Sequence, residues 1–249
     1  MAIFSIFLLL FRLFGDTMIS TVIFDIDNTL YHYDSAHQAA FQALCAFAQR
    51  ELQFTPAAFT DLHRQADQIL RQRTGGNCAA IHNRLIRYQI LLEQTGRPIS
   101  FAPQMSNLYW NTLLEHTTAF PGAQDCFARL KANGYTIGIG TDMTADWQFA
   151  KLDRLGLLSY VDFMVSSEEA GAEKPTPRFF GCCLEKAGRP AEECAFVGDS
   201  LRKDAGGAQA AGMHPIWFCP DAQTASSDPS VTVLYALGDL PDLLLTLSP

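Results

Sequence analysis

Basic residues are scarce in this sequence, and no Cys-x-x-Cys pair occurs in it. Eighteen lysines and arginines stand against 26 aspartates and glutamates, a net charge of -8. That balance excludes a broad nucleic-acid-binding face, which needs clustered cations. An anionic small molecule must therefore be met locally, by a metal ion, a lysine or a helix N-terminus. The seven cysteines are odd in number and lack zinc-ligand spacing. They read as small buried hydrophobes in the reducing cytoplasm, which is the expected location.

Long apolar runs are also missing. Met1 to Phe14 is apolar except for Ser5 and Arg12, short of the roughly 20 residues that a spanning helix needs. It has neither the basic start nor the small-residue cleavage site of a signal peptide. Residues 1–17 read as an upstream extension to a chain naturally starting at Met18, with a peripheral membrane anchor as the competing reading. The 249 residues, 48% hydrophobic, suffice for one large core or a core with a smaller satellite.

Two kinds of periodicity follow. Ile19 to Phe24 is a short β-branched run that predicts a strand buried on both faces. Helical spacing then fills Ala36 to Leu52, Ala57 to Arg71, Ala79 to Gln94 and Gln104 to Glu115, punctuated by Pro56, Gly75-Gly76 and Gly96-Arg97-Pro98. From Phe120 the pattern becomes strand–helix alternation. Strands are expected at Tyr135 to Gly140, Val161 to Val165, Cys194 to Val197, Pro215 to Phe218 and Val231 to Leu234. Helices are expected after Pro121-Gly122, at Ala145 to Leu155, Arg178 to Ala187, Lys203 to Ala211 and Leu240 to Leu247. Repeated βα units predict a doubly wound parallel sheet, a Rossmann-like α/β core. The expected division is a core of residues 18–33 and 117–249 with an all-helical cap of residues 34–116 inserted.

Ligands of open α/β sheets bind beyond the carboxyl ends of the strands. The first strand is followed by Asp25-Ile26-Asp27-Asn28-Thr29 and the second by Thr141-Asp142. The third leads one loop later to Lys174-Pro175, and the fourth to Gly198-Asp199-Ser200 with Asp204 beyond. Carboxylates gathered at one rim repel unless a cation joins them. Oxygen-only ligands favour a hard ion such as magnesium. A phosphate held there beside an aspartate is open to nucleophilic attack by that carboxylate.

These four motifs, in this order, resemble the haloacid dehalogenase superfamily, and more narrowly its phosphatases with a helical cap after the first motif. The resemblance implies that Asp25 is the nucleophile and Asp27 the general acid/base, with Thr29 helping to hold Asp27. It implies that Thr141 and the Asp142 amide bind the transferring phosphoryl group, with Lys174 orienting nucleophile and phosphate. It implies Mg2+ on Asp25, the Asp27 carbonyl and Asp199, with Asp204 supporting from behind. Ser166-Ser167-Glu168-Glu169 through Lys174-Pro175 resembles nucleotidase-like and sugar-phosphatase-like members. The implied partner is a small phosphorylated metabolite.

Taken singly, each motif has a plainer reading. Thr141 and Asp142 precede a helix and could cap it, the first choice for Asp142. Lys174 could be a solvated loop lysine, and Asp204 could complement a helix dipole. Their conjunction favours the site. Tyr31, His32 and Tyr33 are candidates for substrate contact or a cap hinge. His82, Asn83 and Arg84 read as a solvated helix face, with Arg84 the one residue there suited to a second anionic group. Trp110 reads as cap core. Three other enzyme readings compete. A dehalogenase typically lacks the second aspartate of the first motif. A phosphonate hydrolase needs a cap lysine, and none occurs between Asp34 and Glu115. A phosphomutase needs an acid/base pair in the cap that the sequence does not display. A non-catalytic binding protein is the reading from another class.

Overall fold

The computed structural model describes residues 18–220 and 228–247. The expected extension, residues 1–17, lies outside the described residues. Six strands form one sheet: β1 (Thr21–Phe24), β2 (Thr136–Thr141), β3 (Phe163–Ser166), β4 (Cys194–Gly198), β5 (His214–Phe218) and β6 (Thr232–Leu234). Their order is β3-β2-β1-β4-β5-β6, and every pair is parallel. The core is the expected Rossmann-like α/β fold. β1 is buried along its whole length, as a central strand covered on both faces must be. Gly140 on β2 permits close lateral packing. A Cβ there would lie 2.7 Å from Cε2 of Phe196 on β4, a buried ring of the kind that contributes about 1.5–3 kcal/mol.

Between β1 and β2 run α1 (Tyr33–Glu51), α2 (Pro56–Thr74), α3 (Arg84–Gln94) and α4 (Phe101–Glu115). α1 packs on α4, and α2 on α3. Ala36, Ala40, Leu44, Phe47 and Ala48 form the buried stripe of α1, the spacing of an amphipathic helix. Thr55 caps α2 by accepting the Ala58 amide at 3.2 Å, with Pro56 opening the helix. The single helix expected from Ala79 to Gln94 is in fact two pieces. A 3-10 turn covers Ala79–His82, and Asn83 then caps α3 by accepting the Ile86 amide at 3.1 Å. A side-chain oxygen at Asn83 competes with helix continuation there.

Around the sheet lie α5 (Ala123–Ala132), α6 (Ala145–Arg154), α7 (Ser167–Ala170), α8 (Pro177–Ala187), α9 (Gly206–Ala210) and α10 (Leu240–Leu247). The short α7 is not legible in the periodicity. The helix expected from Lys203 opens earlier, as a π-turn at Leu201–Ala205. The inserted helices share one apolar cluster with the sheet, which includes Leu44, Tyr109, Phe127 and Ile137. Trp110 of α4 stacks on Trp147 of α6, with centroids 4.5 Å apart. The indole expected in the cap core therefore lies at the seam between the inserted helices and the sheet layer. Among the described residues, no helix is long and apolar enough to cross a membrane.

Candidate active site

The order of the strands decides where the polar groups meet. Connections leave β1 toward β2 on one side and return to β4 on the other, so the chain reverses direction across the β1–β4 edge. Asp25 follows β1 and Asp199 follows β4, one on each side of that switch point. Lys174, from the loop after α7, extends beneath them. Its ammonium lies 2.7 Å from Asp25 Oδ1 and 2.7 Å from Asp204 Oδ1, and donates to the Gly140 carbonyl at 3.3 Å. Lys174 is only 5% exposed, which removes the solvated-loop reading. Burial works against its charge, but Asp204 and Asp25 outweigh it and hold the ammonium well above its ordinary pKa.

Carboxylate oxygens of Asp25, Asp199 and Asp204 all lie within 4.8 Å of one another. Burial raises the Asp25 carboxyl well above its ordinary value. Lys174 pulls it down, and Asp204 and Asp199 add to the rise. Asp199 is pushed up to about 6 by burial and by Asp204. Three carboxylates facing one ammonium leave surplus negative charge, and an all-oxygen donor set of that kind fits a hard divalent cation. Asp204 has both oxygens engaged, one on Lys174 and the other accepting the Ser200 amide at 2.9 Å. Asp25 and Asp199 are therefore the carboxylates with oxygen to spare. Gly198 is what lets Asp204 approach: a Cβ there would lie 2.3 Å from its Cγ.

Asp27 occupies a separate pocket of bonds. Lys151 of α6 donates to its two oxygens at 2.6 and 2.9 Å, the Tyr31 hydroxyl donates at 2.6 Å, and Gln148 approaches at 3.4 Å. Burial raises the Asp27 carboxyl, but Lys151 and these hydrogen bonds outweigh it, and its pKa ends below the ordinary value. Thr29 requires a correction. Its hydroxyl accepts the Asp199 amide at 3.0 Å, so it braces the strand end after β4, while Asp27 is held by Lys151, Tyr31 and Gln148.

Asp142 also departs from its first reading. The cap position of α6 belongs to Thr144, and Glu168 takes the Ala145 amide at 2.9 Å. Asp142 instead pairs with Lys203 at 2.7 Å and accepts the Lys174 amide at 3.0 Å, fixing the loop that carries the buried lysine. Thr141 is 1% exposed, and its hydroxyl accepts from Gln148 at 2.7 Å. Just beyond it, Met143 holds φ 103, a conformation costly for a side-chain-bearing residue and common near functional sites. Asp204, expected at a helix start, sits in the π-turn at 1% exposure.

The residues that sequence reasoning missed are Gln148 and Lys151, both fully buried. His82 is no solvated surface residue either: it bonds Glu173, next to Lys174, at 2.7 Å. Asn77 accepts the Glu173 amide at 3.3 Å, so the segment between α2 and α3 rests on the Lys174 loop. Cys126 and Cys183 are fully buried, and burial pushes both thiols up to about 12, which leaves them chemically quiet. A surface cavity of about 490 Å³, lined by Thr117, Phe120, Gln124 and Arg154 among others, includes none of the site residues.

Similarity to known proteins agrees with this geometry. The family model described as haloacid dehalogenase-like hydrolase matches residues 19–212. The ribulose-1,5-bisphosphate 5-phosphatase of Halopiger xanaduensis is 36% identical over 91% of this chain and 100% of its own length. The glyceraldehyde 3-phosphate phosphatase of Methanopyrus kandleri is 32% identical over 79% of this chain and 82% of its own. Among solved structures, the 2-haloacid dehalogenase of Pseudomonas syringae superposes with a TM-score of 0.75 at 27% identity, covering 92% of this chain and 100% of that one. With a family match that runs from β1 through β4 and takes in the inserted helices, this chain belongs to the haloacid dehalogenase-like hydrolases.

Proposed function

We propose that this hydrolase is a magnesium-dependent phosphatase that cleaves a small phosphate monoester through an aspartyl-phosphate on Asp25. The observation that carries the reading is the Lys174 ammonium 2.7 Å from Asp25, inside a cluster of three carboxylates. Relatives named for sugar-phosphate substrates support a phosphoric monoester hydrolase acting on a small phosphorylated metabolite. Asp27 favours this over dehalogenation, since carbon–halogen cleavage has no leaving alkoxide to protonate.

In the first step an Asp25 oxygen attacks phosphorus, the ester P–O bond breaks, and the leaving oxygen takes a proton from Asp27. In the second, water attacks phosphorus and gives a proton to Asp27. The bond to Asp25 then breaks and phosphate leaves. Lys174 aligns the nucleophile, and Thr141 with the Asp142 amide receives phosphoryl oxygens. Magnesium, held by Asp25, Asp199 and the Asp27 carbonyl, would offset phosphate charge. Residues 34–116 act as a cap over a core of residues 18–33 and 117–249, keeping bulk water from the intermediate. The test is phosphate release from sugar phosphates and nucleoside monophosphates, with magnesium and then with EDTA. No release from any ester by the folded, magnesium-loaded protein would overturn the reading.

Metal binding has a readout independent of turnover. Burial and the neighbouring Asp204 push the Asp199 carboxyl up to about 6 from an ordinary 3.8. The folded state then holds the extra proton, so this group's contribution to stability falls as pH rises from about 4 to about 6. A cation replaces that proton, so magnesium should stabilise more at pH 7 than at pH 5. At 100-fold excess over Kd the gain is about 2.7 kcal/mol, or roughly 5–10 °C in Tm for a chain of this size. Asp199→Asn should abolish the shift. An undiminished shift in that variant would remove Asp199 from the ligand set.

Lys151 lowers the Asp27 pKa, which suits Asp27 as base toward water, while its protonated form serves the leaving oxygen. Lys151→Met should lower kcat about 10–100-fold. It should also move the acidic limb of the kcat–pH profile upward, because Asp27 loses the cation that lowers its pKa. A limb left at the same pH would reduce Lys151 to a packing role.

A further inference from the structure

Two guanidinium groups stand one turn apart on α3, Arg84 and Arg87, each 5% exposed. A buried cation is costly unless an anion accompanies it. Arg87 has one: it pairs with Asp67 and donates to the Ile81 carbonyl at 2.8 Å. Arg84 has none among the described residues. Nη2 donates to the Tyr33 and Tyr109 hydroxyls at 3.2 Å each, Nη1 reaches the His82 carbonyl at 3.4 Å, and Nε has no partner. Burial holds the Tyr33 hydroxyl well above its ordinary pKa and pushes His37, bonded to Tyr109 at 2.7 Å, down to about 4. The groups that bond Arg84 are dipoles, and the Asp67 carboxylate, whose field reaches Arg84, is engaged in its ion pair with Arg87.

The position of Arg84 bears on substrate. Two residues before it, His82 meets Glu173 beside Lys174. On its other side Tyr33 presents its ring to Lys151 at 5.4 Å, the lysine that holds Asp27. The guanidinium lies over Tyr109 at 4.8 Å and approaches Trp110 at 5.8 Å, the same indole that Lys151 approaches at 5.7 Å. These rings orient the guanidinium plane but bring no counter-charge. Arg84 thus lies one aromatic ring from Lys151, which in turn bonds Asp27, the carboxylate expected to protonate the leaving group.

We propose that Arg84 receives a second oxyanion of the substrate, a phosphate or carboxylate remote from the scissile ester, with the Tyr33 and Tyr109 hydroxyls adding hydrogen bonds. This rests on the phosphatase reading and names its substrate class as small phosphate esters bearing a second anionic group. A planar fork flanked by neutral hydroxyls matches the geometry of either oxyanion. The contact between the two hydroxyls is long at 3.4 Å and is the one an entering anion would displace.

The experiment compares kcat/KM on matched pairs. Ribulose 1,5-bisphosphate against ribulose 5-phosphate tests a second phosphate, and 3-phosphoglycerate against glycerol 3-phosphate tests a carboxylate. Wild type should favour the doubly anionic member of one pair by at least ~10-fold, since a site built to bond a group discriminates against the analogue lacking it. Whichever pair shows the preference identifies the oxyanion. Arg84→Met should collapse that ratio toward unity, and Arg84→Lys should restore part of it. An equal loss on both members, or no wild-type preference in either pair, would assign Arg84 to packing and overturn the proposal. If Arg84→Met fails to fold, Arg84→Lys decides by the same ratio, an unchanged preference overturning the proposal. If wild type hydrolyses no ester, the phosphatase reading has failed, and calorimetric binding of the two bisanionic compounds against their partners still tests the anion site.

Discussion

Asp25→Asn should reduce phosphate release by about four orders of magnitude or more, the scale on which removal of an attacking group is felt. The substitution is nearly isosteric and keeps an oxygen for Lys174, so binding and fold are expected to survive while the nucleophile is lost. Asp25 is buried, and burial raises its carboxyl well above the ordinary value, so its surroundings disfavour the charged form. Replacing it with a neutral amide should leave Tm unchanged or raise it, with the Lys174–Asp204 pair intact. Turnover, Tm and magnesium binding measured on the same preparation separate chemistry from folding. Substantial residual turnover in a folded Asp25→Asn protein would move the nucleophile elsewhere. A fall in both turnover and Tm would mean that the residue was chiefly structural.

The positions of the rim residues were legible because each is local. A β-branched run ending in Asp25 and a buried run ending in Gly198-Asp199 announce strand ends without any knowledge of neighbours. The parallel, doubly wound character of the sheet follows from the same repeated units. Partners were not legible. Thr29 sits in the first motif, yet its hydroxyl serves Asp199, at a sequence separation of 170. The burial of Arg84 and the role of Lys151 were hidden for a shared reason. Each residue lies on the apolar stripe of its helix, Arg84 with Arg87, Tyr88 and Leu91, and Lys151 with Gln148 and Leu152. A charged residue on such a stripe is ordinarily taken for the edge of the solvated face. The signal was present in the spacing, but only tertiary neighbours reveal whether the charge reaches water, an aspartate or an unfilled site. Trp110 illustrates the same limit. Its burial was readable, but its stacking on Trp147 depends on how the inserted helices meet α6.

Asp27→Asn should cut kcat by roughly 10²–10⁴-fold, the range of a positioned acid or base. It should do so unevenly across the two steps. An ester with an activated leaving group needs no proton, so its first step survives, and phosphorylated enzyme should accumulate because water is no longer deprotonated. The measurement is rapid quench with labelled substrate, which should show a burst of leaving group followed by slow phosphate release. The variant also strips Lys151 of its counter-ion, and Lys151 is fully buried. Breaking such a pair typically costs about 3–5 kcal/mol, less here because the Asp27 side chain is 23% exposed and the variant amide keeps an oxygen for the ammonium. A slow enzyme could therefore be merely a loosened one. The double variant Asp27→Asn with Lys151→Met separates the two, since it removes the orphaned ammonium without returning the acid/base. Restored stability with turnover still depressed and the burst intact would place the loss in proton transfer. Recovery of turnover together with stability would instead make Asp27 a structural anchor for Lys151 and require a different group to serve the leaving oxygen.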